Sequence, residues 1–204
     1  HECDIAVNSD SKELLDILSA KAEVYRIERT EDLAGDTVPK MAVIYDCLVR
    51  VQSISKKQYD MIVDLDITSP LRTITDIENL VQKKAGTDCD VVYSVVEARR
   101  NPYFNMVQKT EKGYEKVCPS DYVARQQAPA VYDMNASMYA YEPGFLASGK
   151  GVLEGKGEII IMYDTGVLDL DHEHDFELME IVAKYLFGNF SEFGEVRENV
   201  KLYY

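Results

Sequence analysis

Three stretches of the chain gather side chains that packing alone does not call for. The first is Asp169-Leu170-Asp171-His172-Glu173-His174-Asp175. With Leu168 to Asp171 extended, Asp169 and Asp171 point to one face, where two carboxylates can hold one hard cation; oxygen-only ligation suits magnesium. A solvated acidic turn that caps the following helix through Asp175 explains the same residues equally well. His172 and His174 could suggest zinc, but no cysteine or further histidine lies near enough in sequence to complete a tetrahedral set, and solvent exposure is the better reading. The second stretch, Asp64-Leu65-Asp66-Ile67-Thr68-Ser69-Pro70-Leu71-Arg72, brings carboxylates, two hydroxyls, a rigid proline and a guanidinium into one loop that can cradle a polar ligand. Taken alone it reads more economically as a strand exit whose Thr or Ser caps the next helix. The third opens with Arg125, Gln126 and Gln127 and ends with Asn135 and Tyr139 entering a strand. Arg125 is a bidentate carboxylate binder, yet a structural hairpin accounts for this run as well.

The elements that must position these residues alternate. Asp4 to Val7 reads as a strand, and Ser9, Asp10 and Ser11 offer cap oxygens to a helix with Leu14, Leu15 and Leu18 on one face. Ala22 to Ile27 is a second strand, Leu33 to Pro39 a loop, and Met41 to Val51 a helix facing inward at Ile44, Leu48 and Val51. Tyr59 to Leu65, Asp90 to Val96, Met138 to Tyr141 and Glu158 to Met162 read as further strands, with helices at Thr75 to Lys84 and Phe176 to Phe187. The stretch from Gly188 to Tyr204 fits no pattern. Such alternation implies right-handed crossovers and an α/β fold with a doubly wound, mostly parallel, Rossmann-like sheet. The rhythm fails from about Val96 to Asn135, which reads as an inserted arm on a single domain spanning residues 1–204. In such sheets ligands bind beyond the carboxyl ends of the strands, so the loops after Val7, Leu65, Val96 and Leu168 are the ones to inspect.

Bulk composition narrows the partners. A formal charge of -14 over 204 residues excludes sequence-independent nucleic-acid binding, which needs a basic face. An anionic substrate would need a metal ion or a few placed arginines. The four cysteines, Cys3, Cys47, Cys89 and Cys118, form no CxxC pair and read as reduced thiols. No apolar run approaches the roughly 18 residues needed to cross a bilayer, and no signal peptide is visible, so the expected location is cytoplasmic, with no membrane partner. No GxGxxG follows any strand, which argues against a Rossmann dehydrogenase.

Taken together, Asn8-Ser9-Asp10, Arg29 with Leu33-Ala34-Gly35-Asp36, Thr68 to Arg72, Arg125-Gln126, Asn135 to Tyr139, and Asp169-Leu170-Asp171 with Asp175 follow one another in a recognisable order and spacing. In them the chain resembles the acylneuraminate cytidylyltransferases over nearly its whole length. Ala98 to Asn105 and Tyr132 to Ser137 look most like the legionaminate branch, whose sugar acid is a bacterial relative of sialic acid. The resemblance implies an enzyme that joins a 2-keto-3-deoxy nonulosonic acid, of legionaminate or N-acetylneuraminate type, to CMP using CTP and Mg2+. It implies Asp169 and Asp171 as metal ligands and, with Arg29, as catalytic residues. Ser9, Asp10, Asp66, Thr68, Ser69 and Arg72 then face the nucleotide and incoming sugar, and Arg125, Gln126, Asn135 and Tyr139 form the sugar pocket. The arm, by the same resemblance, reaches across a homodimer.

Two departures carry expectations of their own. Many relatives have Gln-Pro where this chain has Asp66-Ile67, replacing an amide donor by an acceptor-only carboxylate, which should alter the sugar group that is read. The family also opens with a strand and a glycine- and lysine-rich loop that holds the triphosphate; no equivalent stands before His1, so either a segment precedes this sequence or the chain as given cannot catalyse. The alternatives kept open are a CMP-octulosonate synthase, with the same chemistry on another sugar, and a catalytically incompetent nucleotide-binding dimeric subunit.

Overall fold

The computed structural model describes residues 3–35, 37–163 and 169–201, leaving Asp36 of the Leu33 to Asp36 motif and Leu168 of the acidic stretch outside the described residues. Strand β1 (Ala6–Ser9) leads into α1 (Lys12–Lys21), whose cap is Ser11: its hydroxyl accepts the Leu14 N–H at 3.2 Å. Then come β2 (Tyr25–Glu28), α2 (Lys40–Ser55), β3 (Ile62–Leu65), α3 (Ile74–Ala85) and β4 (Val91–Glu97). Helix α3 begins with a reciprocal capping pair, Thr73 Oγ1 accepting from Asp76 N–H while the Asp76 carboxylate accepts from Thr73 N–H. A hairpin follows, β5 (Val107–Thr110) and β6 (Gly113–Lys116), closed by Gly113 at φ 116°, where a side chain would be strained. The chain then runs through β7 (Tyr132–Tyr141), α4 (Pro143–Ala147), β8 (Gly157–Ile161), α5 (Glu173–Asn189) and α6 (Ser191–Lys201).

The central sheet has the order β3-β7-β4-β8. Strands β3, β4 and β8 run the same way and β7 runs against them, so three carboxyl ends open on one edge. Alternate residues of this sheet feed two cores. Val92, Val96, Met138 and Ala140 pack with Leu80 of α3 on one face, and Val91, Tyr139 and Tyr141 pack with Met41, Leu48 and Phe145 of α2 and α4 on the other. Helices on both faces of a mostly parallel sheet make the doubly wound arrangement that the alternation predicts. A third cluster joins Leu71 to Met179, Leu186 and Phe193 and seats α5 and α6 beneath the 66–72 loop. No helix among the described residues is long and apolar enough to cross a membrane, and all the cysteines are free.

Three features differ from the expected layout. β1 and β2 form a parallel pair of their own, and no strand among the described residues joins it to the central sheet. β7 begins at Tyr132, six residues before the expected start at Met138, because Tyr132–Met134 pair with β4 across a bulge whose polar residues hide the strand pattern. The segment expected to form the arm therefore ends near Val131, just before β7 begins, instead of Asn135. Within the unplaced stretch from Gly188, Ser191–Lys201 is helix α6, whose Phe193 is fully buried.

Candidate active site

At the carboxyl end of β3 the chain enters a loop held almost entirely by named bonds. Asp66 N–H donates to the Ser137 carbonyl at 3.0 Å, and Asp66 Oδ1 accepts from both the Thr68 N–H and the Thr68 hydroxyl. Arg72 turns its Nη1 back onto the carbonyls of Asp66, Ser69 and Ser137 at 2.8, 3.0 and 3.1 Å. Its guanidinium is held below its ordinary range by burial, against the charges of Asp66 and Asp64. Ser69 is buried and gives its carbonyl to the Ser137 hydroxyl as well. This loop is shaped by its own polar residues.

The partner of the loop is a bulge in β7. Tyr139 pairs with Tyr93 and Met134 pairs with Val95, so Asn135 to Met138 face Ser94 alone. Ala136 takes φ 54°, a left-handed value that few non-glycine residues adopt. Ser94 repairs the ladder: its hydroxyl donates to Asn135 Oδ1 at 2.6 Å and accepts the Met138 N–H at 2.9 Å. Asn135 Nδ2 reaches Met162 Sδ at 3.2 Å. Both ends of this buried amide thus serve the bulge, and the bulge aims Ser137 at the loop.

Lys40, the first residue of α2, closes the cluster from above. Its Nζ lies 2.7 Å from Asp66 Oδ2 and 2.9 Å from Asp64 Oδ2, and 5.1 Å from the centre of the Tyr139 ring. The contact with Asp64 is Coulombic, since that oxygen accepts no hydrogen bond of good geometry. Burial works against both charges, but the carboxylates outweigh it for Lys40, whose pKa is raised. For Asp66 burial is likewise overcome, by Lys40 and Thr68, and its pKa is lowered. Burial pushes the Tyr139 phenol up, and it feels the charges of Lys40, Asp64, Asp66 and Asp169.

Asp169 belongs to this neighbourhood because Leu170 N–H donates to the Thr68 carbonyl at 3.0 Å, fastening the acidic stretch onto the loop. Asp175 Oδ2 accepts from the N–H groups of His172 and Asp171, so it caps the start of α5, as the plainer reading of that stretch expects. Asp169 Oδ1 is shared with the Leu170 N–H at 3.0 Å, and Asp171 is exposed. No group of three or more His, Cys, Asp or Glu side chains that could hold a metal ion occurs among the described residues. A pair of carboxylates nonetheless fits magnesium, which commonly takes one or two protein carboxylates and completes its shell with substrate phosphates and water. His172 and His174 are exposed and complete no zinc set there.

The remaining candidates divide into two places. Ser9 and Arg29 sit at the carboxyl ends of β1 and β2, with Asp10 exposed beside them. Arg29 Nε donates to Asn8 Oδ1 at 2.8 Å, and Ser9 Oγ accepts the Ser11 N–H. No hydrogen bond among the described residues joins Arg29 to the 66–72 loop. Beyond β4 and β8 a cleft of about 630 Å³ is lined by Glu97, Arg99, Arg100, Arg125 and Tyr163. Arg125 is fixed there by donating to the Ala98 carbonyl at 2.9 Å, while Gln126 lies exposed outside the lining. The sequence reading missed Lys40. Its only local signal was a lysine opening a helix with no acid in the first turn, where the macrodipole disfavours a cation.

No model of a known protein family matches the chain. It is 34% identical over 181 residues to the post-translational flagellin modification protein B of Campylobacter coli, covering 88% of this chain and 77% of that one. It is 30% identical over 178 residues to the CMP-N,N'-diacetyllegionaminic acid synthase of Campylobacter jejuni, covering 87% and 76%. The chain belongs to the CMP-legionaminic acid synthase-like family of nucleotidyltransferases. The fold of this family member is also that of a solved 4-diphosphocytidyl-2C-methyl-D-erythritol synthase from Anaerococcus prevotii, at TM-score 0.52 and 12% identity over 86% of this chain and 78% of that one. For a CMP-legionaminic acid synthase-like chain, the loop, the bulge and the acidic stretch all stand on the sheet edge where doubly wound folds bind ligands.

Proposed function

We propose that the protein is a cytidylyltransferase that activates a nine-carbon 2-keto sugar acid of legionaminate type with CTP, giving the CMP-sugar and pyrophosphate. One observation carries the reading: Leu170 N–H on the Thr68 carbonyl brings the Asp169–Asp171 pair to the mouth of the sheet, beside the 66–72 loop. The relatives support the chemistry, one of them being a CMP-N,N'-diacetyllegionaminic acid synthase.

In the reaction the anomeric hydroxyl attacks the α-phosphorus of CTP, forming an O–P bond as the bond to the β-phosphate oxygen breaks. The hydroxyl proton passes to the medium and pyrophosphate departs. Asp169 and Asp171 would hold a magnesium ion, which when bound supplies positive charge to the phosphate oxygens. The chain's own residues bind and orient. Arg125, in the cleft with Arg99 and Arg100, offers a fork suited to the sugar carboxylate. The Thr68 and Ser69 loop gives a rigid floor, since Arg72 and Ser137 hold its carbonyls. Arg29 and Ser9 flank the nucleotide side. A protein of charge -14 accepts two anions only where cations face them, a part this reading gives to Arg29, Arg125 and the metal ion.

The test is Asp171→Asn in the full-length protein. CMP-sugar formation should fall by about three orders of magnitude, as for loss of a metal-held charge, with the circular dichroism spectrum kept and Mn2+ binding lost. Undiminished turnover would remove the metal role. Parallel assays with legionaminate, N-acetylneuraminate and octulosonate fix the acid, and a preference for either of the last two would overturn the legionaminate assignment.

A further inference from the structure

Lys40 has no place in the chemistry above, yet its ammonium is held between two carboxylates and an aromatic ring. Its ammonium has three donors. Asp66 Oδ2 takes one at 2.7 Å, Asp64 Oδ2 faces it at 2.9 Å, and the Tyr139 ring lies beneath it. An ammonium so engaged is poorly placed to grip a substrate anion. Its surroundings suit a different task. Asp64 within β3 and Asp66 just past its end both face Lys40, in a protein of charge -14 and with Asp169 within electrostatic reach of the same tyrosine. Two neighbouring carboxylates attract a divalent ion as readily as the Asp169–Asp171 pair does. The gap between them is filled by Lys40, delivered there because Met41 and Leu48 anchor α2 on the sheet.

We propose that Lys40 is a positioning residue that directs the divalent cation: by filling the gap between Asp64 and Asp66 it keeps the ion on the Asp169–Asp171 stretch and fastens the start of α2 to the 66–72 loop. This rests on the functional reading that Asp169 and Asp171 hold the ion. The Asp64–Asp66 gap is thus a cation site with its own internal cation. Asp66 remains bonded to Thr68 and Lys40 with both oxygens engaged, so its departure from an amide is answered within the protein before any substrate arrives.

Mn2+ binding to the full-length protein, followed by electron paramagnetic resonance, tests the proposal. The wild type and Lys40→Arg should bind the same number of ions per chain. Lys40→Met should bind one more, and Lys40→Met with Asp64→Asn should lose that extra ion again. Lys40→Met binding no more than the wild type, with its dichroism spectrum intact, overturns the proposal. Should Lys40→Met fail to fold, Lys40→Gln, which keeps a donor toward Asp66, carries the same expectation. Asp171→Asn separates the two ideas. If that variant binds Mn2+ as the wild type does, the functional reading of Asp169 and Asp171 has failed, whereas an extra ion in Lys40→Met that depends on Asp64 still assigns Lys40 to the gap.

Discussion

Ser94 and Ser137 are both buried and belong to one hydrogen-bonded cluster, yet their loss should cost very different amounts. Ser94→Ala removes the only acceptor that the structure gives the Met138 N–H, because the bulge leaves no strand carbonyl opposite it. It also removes the donor at 2.6 Å to Asn135 Oδ1, which keeps only a 3.4 Å contact from Ser137 N–H. An orphaned buried donor costs about 1–3 kcal/mol and the second lost bond about 1 kcal/mol, so Ser94→Ala should destabilise by about 3 kcal/mol. Ser137→Ala strands nothing. Ser69 O still accepts from Arg72 at 3.0 Å, and Arg72 Nη1 keeps three carbonyls, so the cost should be about 1 kcal/mol. For a domain of this size each kcal/mol moves the melting temperature by about 2–4 °C. Urea titration and differential scanning calorimetry of the two variants would read drops of about 6–12 °C and about 2–4 °C. A Ser137→Ala variant as damaged as Ser94→Ala, or a Ser94→Ala variant within about 0.5 kcal/mol of wild type, would refute this accounting of the bulge.

Two further outcomes follow from the same site. Ala136 at φ 54° bears a left-handed strain of about 1–2 kcal/mol that glycine does not, against an entropic cost of about 0.5–1 kcal/mol for the freer unfolded chain. Ala136→Gly should therefore raise the denaturant midpoint slightly, and a loss of more than about 1 kcal/mol would contradict the strain. The Lys40–Asp66 pair sets a pH window. Asp66 has a lowered pKa, because its partners outweigh the opposing burial, so its contribution is present above the unfolded value of about 4 and disappears as pH falls through the lower folded one. Lys40 has a raised pKa, burial again being outweighed, so its contribution is present below about 10.4 and disappears as pH rises through the higher folded one. The difference in melting temperature between wild type and Asp66→Asn should thus hold level from about pH 5 to pH 9. A difference that shrinks between about pH 6 and pH 8 would defeat it.

Much of this protein could be read from its residues in order. The run Val91 to Val96 announces a buried strand, because a strand covered on both faces needs no alternation; Met61 to Val63 also marks a strand, though β3 stands at the edge of the sheet with Val63 exposed, and the helices between them carry their apolar residues at helical spacing. Those two periods fix an α/β fold, and the exit of β3 together with the acidic spacing of Asp169 and Asp171 then marks Asp66 to Arg72 and Asp169 to Asp171 as candidate site segments. Local chemistry also declares the caps at Ser11 and Thr73, since a hydroxyl three residues ahead of its N–H partner is a property of neighbouring residues.

Tertiary structure decided what those residues do to one another. Asn135 and Arg72 look alike in sequence to ligand-binding side chains, but Asn135 is engaged by Ser94 and Met162, and Arg72 by carbonyls as far away as Ser137. Lys40 stands 26 positions before Asp66 and nearly as far before Asp64, so no local pattern could join the three charges. The antiparallel insertion of β7, its bulge and the left-handed turn at Ala136 are likewise set by strand pairing across the sheet. Periodicity is a local consequence of which face is buried, and a sequence displays it; the pairing of charges and hydrogen bonds depends on which distant segments meet, and only the folded chain determines that.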